Sequence, residues 1–326
     1  MSQADGPPAA PSGSGCGTGA AGATVAVLMA TRNGAKFLDE QLTSIHEQNH
    51  LLIDIWASDD GSTDETRAKL SAWQKRWSKG RFTVLGGPCK GFAENFRSLI
   101  CNRTIEAGCF ALSDQDDIWE SDKLSRAVAW IQTAPGRPRL FCSRTSTMSE
   151  SGVIIGASPL FGRPPAFRNA LVQSIAGGNT MVMDPTARSI LVDACERTAF
   201  LSHDWWAYLV LSGAGADIHY DPTPLVRYRQ HGQNEFGQNA TIRARVDRMR
   251  RLFAGQFLHW TSQNLDSLDK IHDILTEDAK RTLELFHRSR RGSLSERLVA
   301  FWKSGVYRQS AAGTAALALA SLAGRF

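Results

Sequence analysis

An acidic segment, Ser113-Asp114-Gln115-Asp116-Asp117-Ile118-Trp119, directly follows the apolar run Cys109-Phe110-Ala111-Leu112. The run has the length and composition of a buried strand. Three carboxylates within four positions repel one another, and a divalent cation such as Mg²⁺ or Mn²⁺ would remove that repulsion. In an extended chain, Asp114 and Asp116 share a face and Asp117 turns aside. The alternative is a solvated acidic turn that opens a helix at Trp119.

Three more apolar runs precede the acidic segment and alternate with helical patterns. These runs cover residues 24–30, 51–58 and 82–85. Between the second and third runs, Ser62 and Glu65 have the spacing of a capping box that opens a helix. Strands that alternate with helices predict an α/β fold, with a mainly parallel central sheet flanked by helices on both sides.

Polar residues follow the carboxyl ends of three of these strands. They are Thr31-Arg32-Asn33, Asp59-Asp60 and the acidic segment. Ligands of open parallel sheets bind beyond the carboxyl ends of the strands. The three polar ends therefore predict a nucleotide pocket, in which a carboxylate accepts hydrogen bonds from a pyrimidine N–H or a ribose hydroxyl. A solvated turn is the alternative for Asp59 and Asp60 taken alone.

Two later segments carry further candidate groups. Gly177-Gly178-Asn179 could let the backbone approach a ligand closely or serve a bulge, with equal weight. His203-Asp204-Trp205-Trp206 begins a predicted helix, and an aspartate beside two large aromatic rings suits a sugar-binding wall with a general base. A helix-start acid followed by core tryptophans is the alternative interpretation.

The extended segment 220–231 places Arg229 and His231 on one face, because they lie two residues apart. There they could neutralise a leaving diphosphate or help to hold the metal. Taken alone, the segment would be a surface strand.

Composition and charge bound the classes of function. The chain has 326 residues, of which 42% are hydrophobic and 21% charged, as expected for a soluble globular enzyme. Six cysteines without a C-x-x-C pair predict reduced thiols in the cytoplasm and no structural zinc. Residues 1–22 predict a disordered leader without a secretory signal, ahead of a body at 23–240.

Residues 241–326 predict a basic and mostly helical extension. From residue 240 onward there are 15 Lys and Arg against 8 Asp and Glu, which suggests an anionic membrane surface as partner and no nucleic acid. Basic amphipathic helices here could lie at that surface. The apolar run 311–323 is shorter than the roughly 20 residues of a membrane span. Peripheral or re-entrant membrane contact and packing against the body are near-equal alternatives for it.

Four segments together resemble one known family. They are Ala30-Thr31-Arg32-Asn33-Gly34, Ser58-Asp59-Asp60-Gly61-Ser62-Thr63-Asp64, the acidic segment and His203-Asp204-Trp205-Trp206. In this order and spacing, residues 24–240 resemble the family 2 glycosyltransferases of bacteria, which have the GT-A fold. The late segment Tyr228-Arg229-Gln230-His231-Gly232-Gln233-Asn234 is similar to the subgroup that contains rhamnosyltransferases of surface polysaccharides.

The resemblance implies roles for the matching residues. Thr31, Asn33 and Asp59 would contact the donor nucleotide, with Asp60 in support. Asp114 would reach the ribose or the metal, Asp116 would be the principal ligand of Mg²⁺ or Mn²⁺, and Asp204 would be the catalytic base. Residue 203, a glutamate in the family, is histidine here. Contacts with the sugar or the acceptor are expected from Gly178, Asn179, His203, Trp205, Trp206 and Arg229.

These implications predict an inverting, metal-dependent glycosyltransferase at the inner face of the cell membrane, acting in cell-surface polysaccharide synthesis. The expected donor is dTDP-L-rhamnose, with UDP- and GDP-sugars as alternatives, and the expected acceptor is a saccharide or a polyprenyl-linked saccharide. The rival functions are a nucleotidyltransferase, a glycoside hydrolase with two carboxylates and a non-catalytic nucleotide-sugar-binding scaffold at the membrane. A nucleotidyltransferase would carry a Gly-rich basic loop after the first strand, and Thr31-Arg32-Asn33-Gly34 fits that pattern poorly.

Overall fold

The computed structural model describes residues 22–231 and 257–322. The described residues form one nine-stranded sheet, whose hydrogen-bonded order is β3-β2-β1-β4-β8-β6-β9-β5, with β7 paired to β6. The strands are β1 (Val25–Thr31), β2 (Ile53–Asp59), β3 (Phe82–Gly86), β4 (Cys109–Ser113), β5 (Ile118–Trp119), β6 (Arg139–Met148), β7 (Ile154–Ala157), β8 (Val182–Met183) and β9 (Asp217–Arg229).

Helices alternate with the first strands and then dominate the C-terminal part. They are α1 (Leu38–His46), α2 (Thr66–Arg76), α3 (Phe92–Ile100), α4 (Lys123–Ile131), α5 (Phe167–Ala170), α6 (Pro185–Arg197), α7 (His203–Gly213), α8 (Phe257–Lys270), α9 (Glu277–Arg290), α10 (Leu294–Ser304) and α11 (Ala311–Leu322).

The predicted parallel core is confirmed. Strand β1 pairs in parallel with both β2 and β4, and β2 pairs in parallel with β3. The central apolar run is buried on both faces, because alternate residues face two separate hydrophobic clusters: Ala26 and Leu28 face one, and Val25 and Val27 the other. The sheet is mixed overall, since β8 joins β4 and β6 in antiparallel pairs, while β6 and β9 pair in parallel.

Two local predictions fail. Helix α2 begins after Glu65, which makes no side-chain cap, and Ser62 instead bonds to Asp59 and Asn33. The alternative interpretation of the acidic segment, a turn that opens a helix at Trp119, also fails, because Ile118 and Trp119 form a short strand that pairs with β9. Elsewhere a helix start is capped by a side chain: Asp184 accepts a hydrogen bond from the Ala187 N–H at 2.9 Å, and Pro185 lies in the first turn of α6.

The C-terminal helices pack on the body. Leu265, Leu268 and Phe286 belong to the same hydrophobic cluster as Leu28 of β1. In α11, Leu317 is buried, so the apolar run 311–323 packs against the protein over part of its described length. In α10 the large apolar side chains are divided between the core and the surface, since Phe301 is buried whereas Trp302 is 77% exposed. No described helix combines the length and the hydropathy needed to cross a membrane.

Two predicted features lie outside the described residues. They are the leader, of which residues 1–21 are not described, and the first basic amphipathic helix of the extension, which the spacing of Val246, Met249, Leu252 and Phe253 predicts.

Candidate active site

A cavity of about 900 Å³ opens beyond the carboxyl ends of β1 and β4, next to the first turn of α7. It collects ten of the residues that the sequence analysis singled out, from five separate segments. They are Thr31, Asn33, Asp60, Asp114, Asp116, Gly178, Asn179, His203, Asp204 and Trp205. Four others are not among its lining residues, namely Asp59, Trp206, Arg229 and His231.

The carboxylates of the acidic segment repel one another, as the sequence predicts. Burial away from water raises the pKa of Asp114 well above its ordinary value. The nearby carboxylates of Asp117, Asp116 and Asp204 raise it further. The pKa of Asp117 is raised to about 7, mainly by burial and secondly by the charge of the Asp116 carboxylate. Asp117 does turn aside as expected, because its carboxylate accepts hydrogen bonds from Asn179 Nδ2 at 2.5 Å and from the Arg229 N–H at 3.1 Å. Of the three carboxylates of the acidic segment, Asp114 and Asp116 are therefore the two on the cavity wall.

Asp116 and His231 form the best candidate for a metal site. Their Oδ2 and Nε2 atoms lie 2.7 Å apart, although they come from the acidic segment and from the end of β9. A carboxylate beside an imidazole suits Mn²⁺, and the carboxylate also suits Mg²⁺. Within the described ranges no three His, Cys, Asp or Glu side chains converge to hold an ion by themselves. These residues therefore fit an ion that completes its shell with water and with phosphate oxygens of a substrate.

Arg229 does not take the predicted ligand-facing role. Its side chain is 1% exposed, with hydrogen bonds to the Asp116 carbonyl at 2.9 Å, the Glu150 carbonyl at 2.8 Å and the Glu40 carboxylate at 2.7 Å. The guanidinium joins the acidic segment to α1 and to the loop that follows β6. Arg229 therefore positions the acidic segment instead of lining the cavity.

Asp59 is likewise enclosed. Its carboxylate accepts hydrogen bonds from the Ser62 hydroxyl and from the Ser62 N–H at 3.2 Å, and it pairs with Arg67 Nε at 3.1 Å. The same Ser62 hydroxyl accepts a hydrogen bond from the Asn33 N–H at 2.9 Å. Asp59 thus supports the loop that bears Asn33 and is not itself on the cavity wall.

Asp60 lies on the wall and also holds the loop after β3. Its two carboxylate oxygens accept hydrogen bonds from the Cys89 N–H at 2.6 Å and from the Gly91 N–H at 2.9 Å. Gly91 has φ +92°, a left-handed conformation that a side chain would disfavour, and α3 begins at the next residue. One carboxylate therefore fixes the entry of α3 next to the cavity.

Gln115 connects the acidic segment to the loop after β1. Its Oε1 accepts a hydrogen bond from the Arg32 N–H at 2.8 Å, and its Nε2 donates one to the Arg32 carbonyl at 2.9 Å. The side chain lies over Gly34, where a Cβ atom would overlap Gln115 Oε1. The two loops are therefore clamped together through a residue that carries no charge.

Helix α1 and the residues just after it contribute three polar side chains that the sequence analysis did not identify. We call Gln41, Ser44 and Gln48 the polar template. Gln41 Oε1 accepts a hydrogen bond from the Asp117 N–H at 2.8 Å, and Ser44 Oγ accepts one from the Trp119 N–H at 3.0 Å. Just beyond the helix, Gln48 Oε1 accepts one from the Leu124 N–H at 3.0 Å. The signal was present in the sequence as polar residues on the side of α1 that carries Leu38, Leu42 and Ile45.

Lys123 is a second group that the sequence analysis missed. The side chain is fully buried, and its Nζ lies 3.0 Å from the centre of the Trp119 ring. Burial lowers its pKa well below the ordinary value, against the opposing effects of the Asp117 and Asp114 carboxylates. An amine is thus held behind the acidic segment, close enough to interact with two of its three carboxylates.

The first turn of α7 presents Asp204 to the cavity. Its Oδ1 accepts hydrogen bonds from the Ser202 hydroxyl and from the Trp205 N–H at 2.6 Å. Trp205 also lines the cavity, and its Nε1 donates to the Ala170 carbonyl at 2.7 Å. Trp206 is 1% exposed and packs in the hydrophobic cluster. The predicted sugar contact of Trp206 is therefore wrong, because adjacent residues of a helix point about 100° apart.

His203 is an unusual member of the wall. Its ring stacks on Phe96 with 3.7 Å between ring centres, and neither ring nitrogen has a hydrogen-bond partner among the described residues. Burial lowers its pKa to about 4, so the ring is neutral at physiological pH. Gly178 permits this packing, because a Cβ atom there would overlap His203 Nε2.

The C-terminal part also reaches the cavity. Trp260 and Asn264 of α8 are both on its wall, although sequence patterns alone placed the site within residues 23–240. The Trp260 ring meets the Trp205 ring edge to face, with centres 6.4 Å apart and planes at 76°.

Comparisons with known proteins agree with this architecture. The dTDP-rhamnosyl transferase RfbG of Shigella flexneri is 29% identical over 233 residues, which are 68% of this chain and 78% of that protein. An uncharacterized glycosyltransferase of Nostoc sp. is 29% identical over 110 residues, which are 34% of this chain and 33% of that protein. Residues 1–349 of S. aureus TarS, solved in complex with UDP-GlcNAc, superpose with a TM-score of 0.56 at 14% identity, covering 93% of this chain and 88% of that one.

The TarS likeness shows the fold, which is of the GT-A type. The sequence profile described as glycosyl transferase family 2 matches residues 26–196, more than half of the chain, and this range includes the loops after β1, β2 and β4. The carboxylates on the cavity wall are consistent with a nucleotide-sugar enzyme. The chain belongs to glycosyl transferase family 2.

Proposed function

We propose that the protein transfers a sugar, with inversion, from a nucleoside diphosphate donor to a saccharide or a polyprenyl-linked saccharide during cell-surface polysaccharide synthesis. The observation that carries this proposal is the convergence of Asp60, Asp114, Asp116 and Asp204 on one cavity. Three of these carboxylates follow the ends of parallel strands, where α/β sheets bind ligands, and the fourth begins a helix.

The donor nucleotide binds between the loops after β1, β2 and β4. Thr31, Asn33, Asp60 and Asp114 contact it, and Asp59 acts through Ser62 by holding the loop that carries Asn33. Asp116 and His231 would hold Mg²⁺ or Mn²⁺. When bound, the ion offsets the negative charge that grows on the leaving nucleoside diphosphate.

Asp204 is the general base. Its carboxylate takes the proton of the acceptor hydroxyl while that oxygen forms a bond to the anomeric carbon and the bond to the diphosphate breaks on the opposite face. This assignment is supported by the position of Asp204 on the cavity wall, close enough to Asp114 to raise the pKa of that carboxyl. General-base assistance of this kind contributes about 10²–10⁴-fold to the rate.

The proposed donor is dTDP-L-rhamnose. Support comes from the likeness to RfbG of Shigella flexneri, which is named as a dTDP-rhamnosyl transferase and is 29% identical over 68% of this chain. UDP- and GDP-sugars are the alternative donors.

The protein is further proposed to lie on an anionic membrane surface at the cytoplasmic face, where a polyprenyl-linked acceptor would be found. Helix α10 supports this location, because Leu294, Val299 and Trp302 are 53%, 52% and 77% exposed on it. Lys303 follows directly, and residues 240–326 carry 15 Lys and Arg against 8 Asp and Glu. An exposed tryptophan beside basic side chains suits the headgroup region of a membrane.

The test is a panel of dTDP-, UDP- and GDP-sugars incubated with the purified full chain and Mg²⁺ or Mn²⁺, with nucleotide release as readout. We expect metal-dependent release of dTDP from dTDP-rhamnose, faster than from the other donors. Preferential release from another donor would correct the sugar assignment alone. Absence of release from every donor would overturn the proposed function.

A further inference from the structure

We propose that α8 builds an acceptor subsite, in which Trp205, Trp260 and Asn264 hold a sugar ring of the acceptor next to Asp204. The inference rests on the proposed function, since it needs a saccharide acceptor, and adds to it residues from outside the part of the chain that the family profile matches, 26–196.

The aromatic pair spans two parts of the chain. Trp205 comes from the first turn of α7 and Trp260 from α8, and their rings meet at 76° with centres 6.4 Å apart. Both residues line the cavity, and so does Asn264, one helical turn after Trp260. The pair therefore forms an aromatic corner with an amide beside it.

The position of this corner favours the acceptor over the donor. Trp205 directly follows Asp204, and the Trp205 N–H donates to Asp204 Oδ1 at 2.6 Å. Asp204 also acts electrostatically on Asp114 of the acidic segment. Asp204 is therefore near the carboxylates proposed for the donor nucleotide and the metal, and it is next to Trp205 of the aromatic corner. An acceptor hydroxyl must meet Asp204 from the side that the donor does not occupy.

The corner is also held firmly. Trp205 Nε1 donates to the Ala170 carbonyl at 2.7 Å, which fixes the plane of the indole. Helix α8 is anchored by Leu265 and Leu268 in the main hydrophobic cluster and by Ser267 Oγ, which donates to the Ala199 carbonyl at 3.0 Å. A preformed wall loses little conformational entropy when a ligand binds.

The chemistry of the three side chains matches a saccharide. Indole faces pack on the C–H face of a pyranose ring, and a carboxamide both donates to and accepts from the ring hydroxyls. A sugar ring with one apolar face and hydroxyls at its edge satisfies this combination, whereas a polyprenyl chain would leave Asn264 without a partner.

The experiment uses p-nitrophenyl glycosides of L-rhamnose, galactose and N-acetylglucosamine as acceptor probes. Their binding to the full-length protein is measured by calorimetry with dTDP and Mn²⁺ present. We expect at least one glycoside to bind, and we expect Trp260→Ala to weaken that binding about tenfold, as loss of one stacking face implies. Trp260→Phe should restore most of the affinity, and Asn264→Ala should weaken binding less than Trp260→Ala.

The matched control is Trp302→Ala, which removes an exposed tryptophan of α10 that does not line the cavity. It should leave glycoside binding unchanged. Donor turnover in water, measured as nucleotide release without acceptor, should be equal in wild type and Trp302→Ala. Equal glycoside affinity in wild type and Trp260→Ala, or no glycoside binding at all, would overturn the subsite. A higher donor KM with unchanged glycoside binding would also overturn it, by assigning the corner to the donor. Failure of the proposed function is separate, because it would appear as absent nucleotide release in the wild type.

Discussion

Gln115 occupies the space that a Cβ atom on Gly34 would need, and it bonds at the same time to both backbone groups of Arg32. Gly34→Ala should therefore displace Gln115 and separate the loop after β1 from the acidic segment. We expect the free energy of unfolding to fall by about 1–3 kcal/mol, through overpacking and loss of two hydrogen bonds, and the donor KM to rise. Denaturant unfolding and donor titration measure the two effects.

The partner variant for this prediction is Gln115→Ala. In the Gln115→Ala background, the new Cβ atom of Gly34→Ala meets no side chain. Gly34→Ala should therefore lower the free energy of unfolding there by almost nothing further. Equal destabilisation by Gly34→Ala in both backgrounds would contradict the proposed clamp.

Asp204→Asn tests the base. The carboxamide keeps an Oδ1 that can accept from Ser202 and from the Trp205 N–H, so the first turn of α7 should be retained. We expect kcat to fall by about 10²–10⁴-fold with little change in donor KM. Steady-state kinetics with saturating acceptor measures both, and Asp193→Asn, an exposed acid of α6, serves as control. Turnover close to that of wild type would move the base elsewhere.

Asp116 and His231 are tested by metal titration. Asp116→Ala should abolish both activity and its stimulation by Mn²⁺, and EDTA should inhibit the wild type reversibly. His231→Gln should raise the Mn²⁺ concentration needed for half-maximal activity while leaving activity at saturating Mn²⁺ largely intact. An unchanged Mn²⁺ requirement in His231→Gln would remove that residue from the metal site.

His203 should make the stability depend on pH. Its pKa is about 4 in the folded protein because burial disfavours the charged ring, and about 6.5 in the unfolded chain. Between these values the unfolded chain binds a proton that the folded protein does not, so stability is lost as the pH falls through this window. The loss at pH 5 is about 2 kcal/mol.

His203→Leu removes this titration while keeping an apolar contact with Phe96. From pH 7.5 to pH 5 the wild type should therefore lose about 2 kcal/mol more than the variant, measured by denaturant unfolding. Parallel losses in both proteins would show that His203 titrates normally.

The proposed membrane location depends on Trp302 and its basic neighbours. Full-length protein should co-sediment with vesicles containing phosphatidylserine or phosphatidylglycerol and not with neutral phosphatidylcholine vesicles, and binding should weaken at high salt. Trp302→Ala should reduce the bound fraction. Val153→Ala, an exposed apolar residue next to β7, is the control and should bind like the wild type. Equal binding by Trp302→Ala and wild type would exclude α10 as the contact.

The parallel core could be predicted from the sequence, because β1 and β4 are continuous apolar runs, β2 is mostly apolar, and all three end next to polar residues. Strand β7 could not, since Ile154 and its neighbours in that strand are exposed and leave no burial pattern. The strand at Ile118–Trp119 was missed because two residues carry no periodicity, and only pairing with β9 makes them a strand.

Some residues of the candidate site could likewise be predicted from the sequence, and others could not. The sequence correctly predicted that one cavity would contain Thr31, Asp60 and Asp114, because these residues lie at or just after the carboxyl ends of neighbouring parallel strands. Sequence alone could not tell Trp205 from Trp206, because the rotation of α7 relative to the cavity depends on tertiary packing. Trp260 was missed for a related reason, since α8 reaches the wall through contacts with a core built from distant residues. Arg229 and Glu40 meet across 189 positions, a distance at which no local pattern carries information.

The polar template on α1 has a practical consequence for protein engineering. These three side chains, Gln41, Ser44 and Gln48, accept hydrogen bonds from backbone N–H groups within residues 117–124 and not from the side chains there. Asp114 and Asp116 could therefore be exchanged in a directed-evolution library while the path of residues 117–124 is kept, whereas Asp117 would have to stay because its carboxylate accepts hydrogen bonds from Asn179 and from the Arg229 N–H. A transplant of the acidic segment into a foreign scaffold, in contrast, would lose its shape unless the polar template travelled with it.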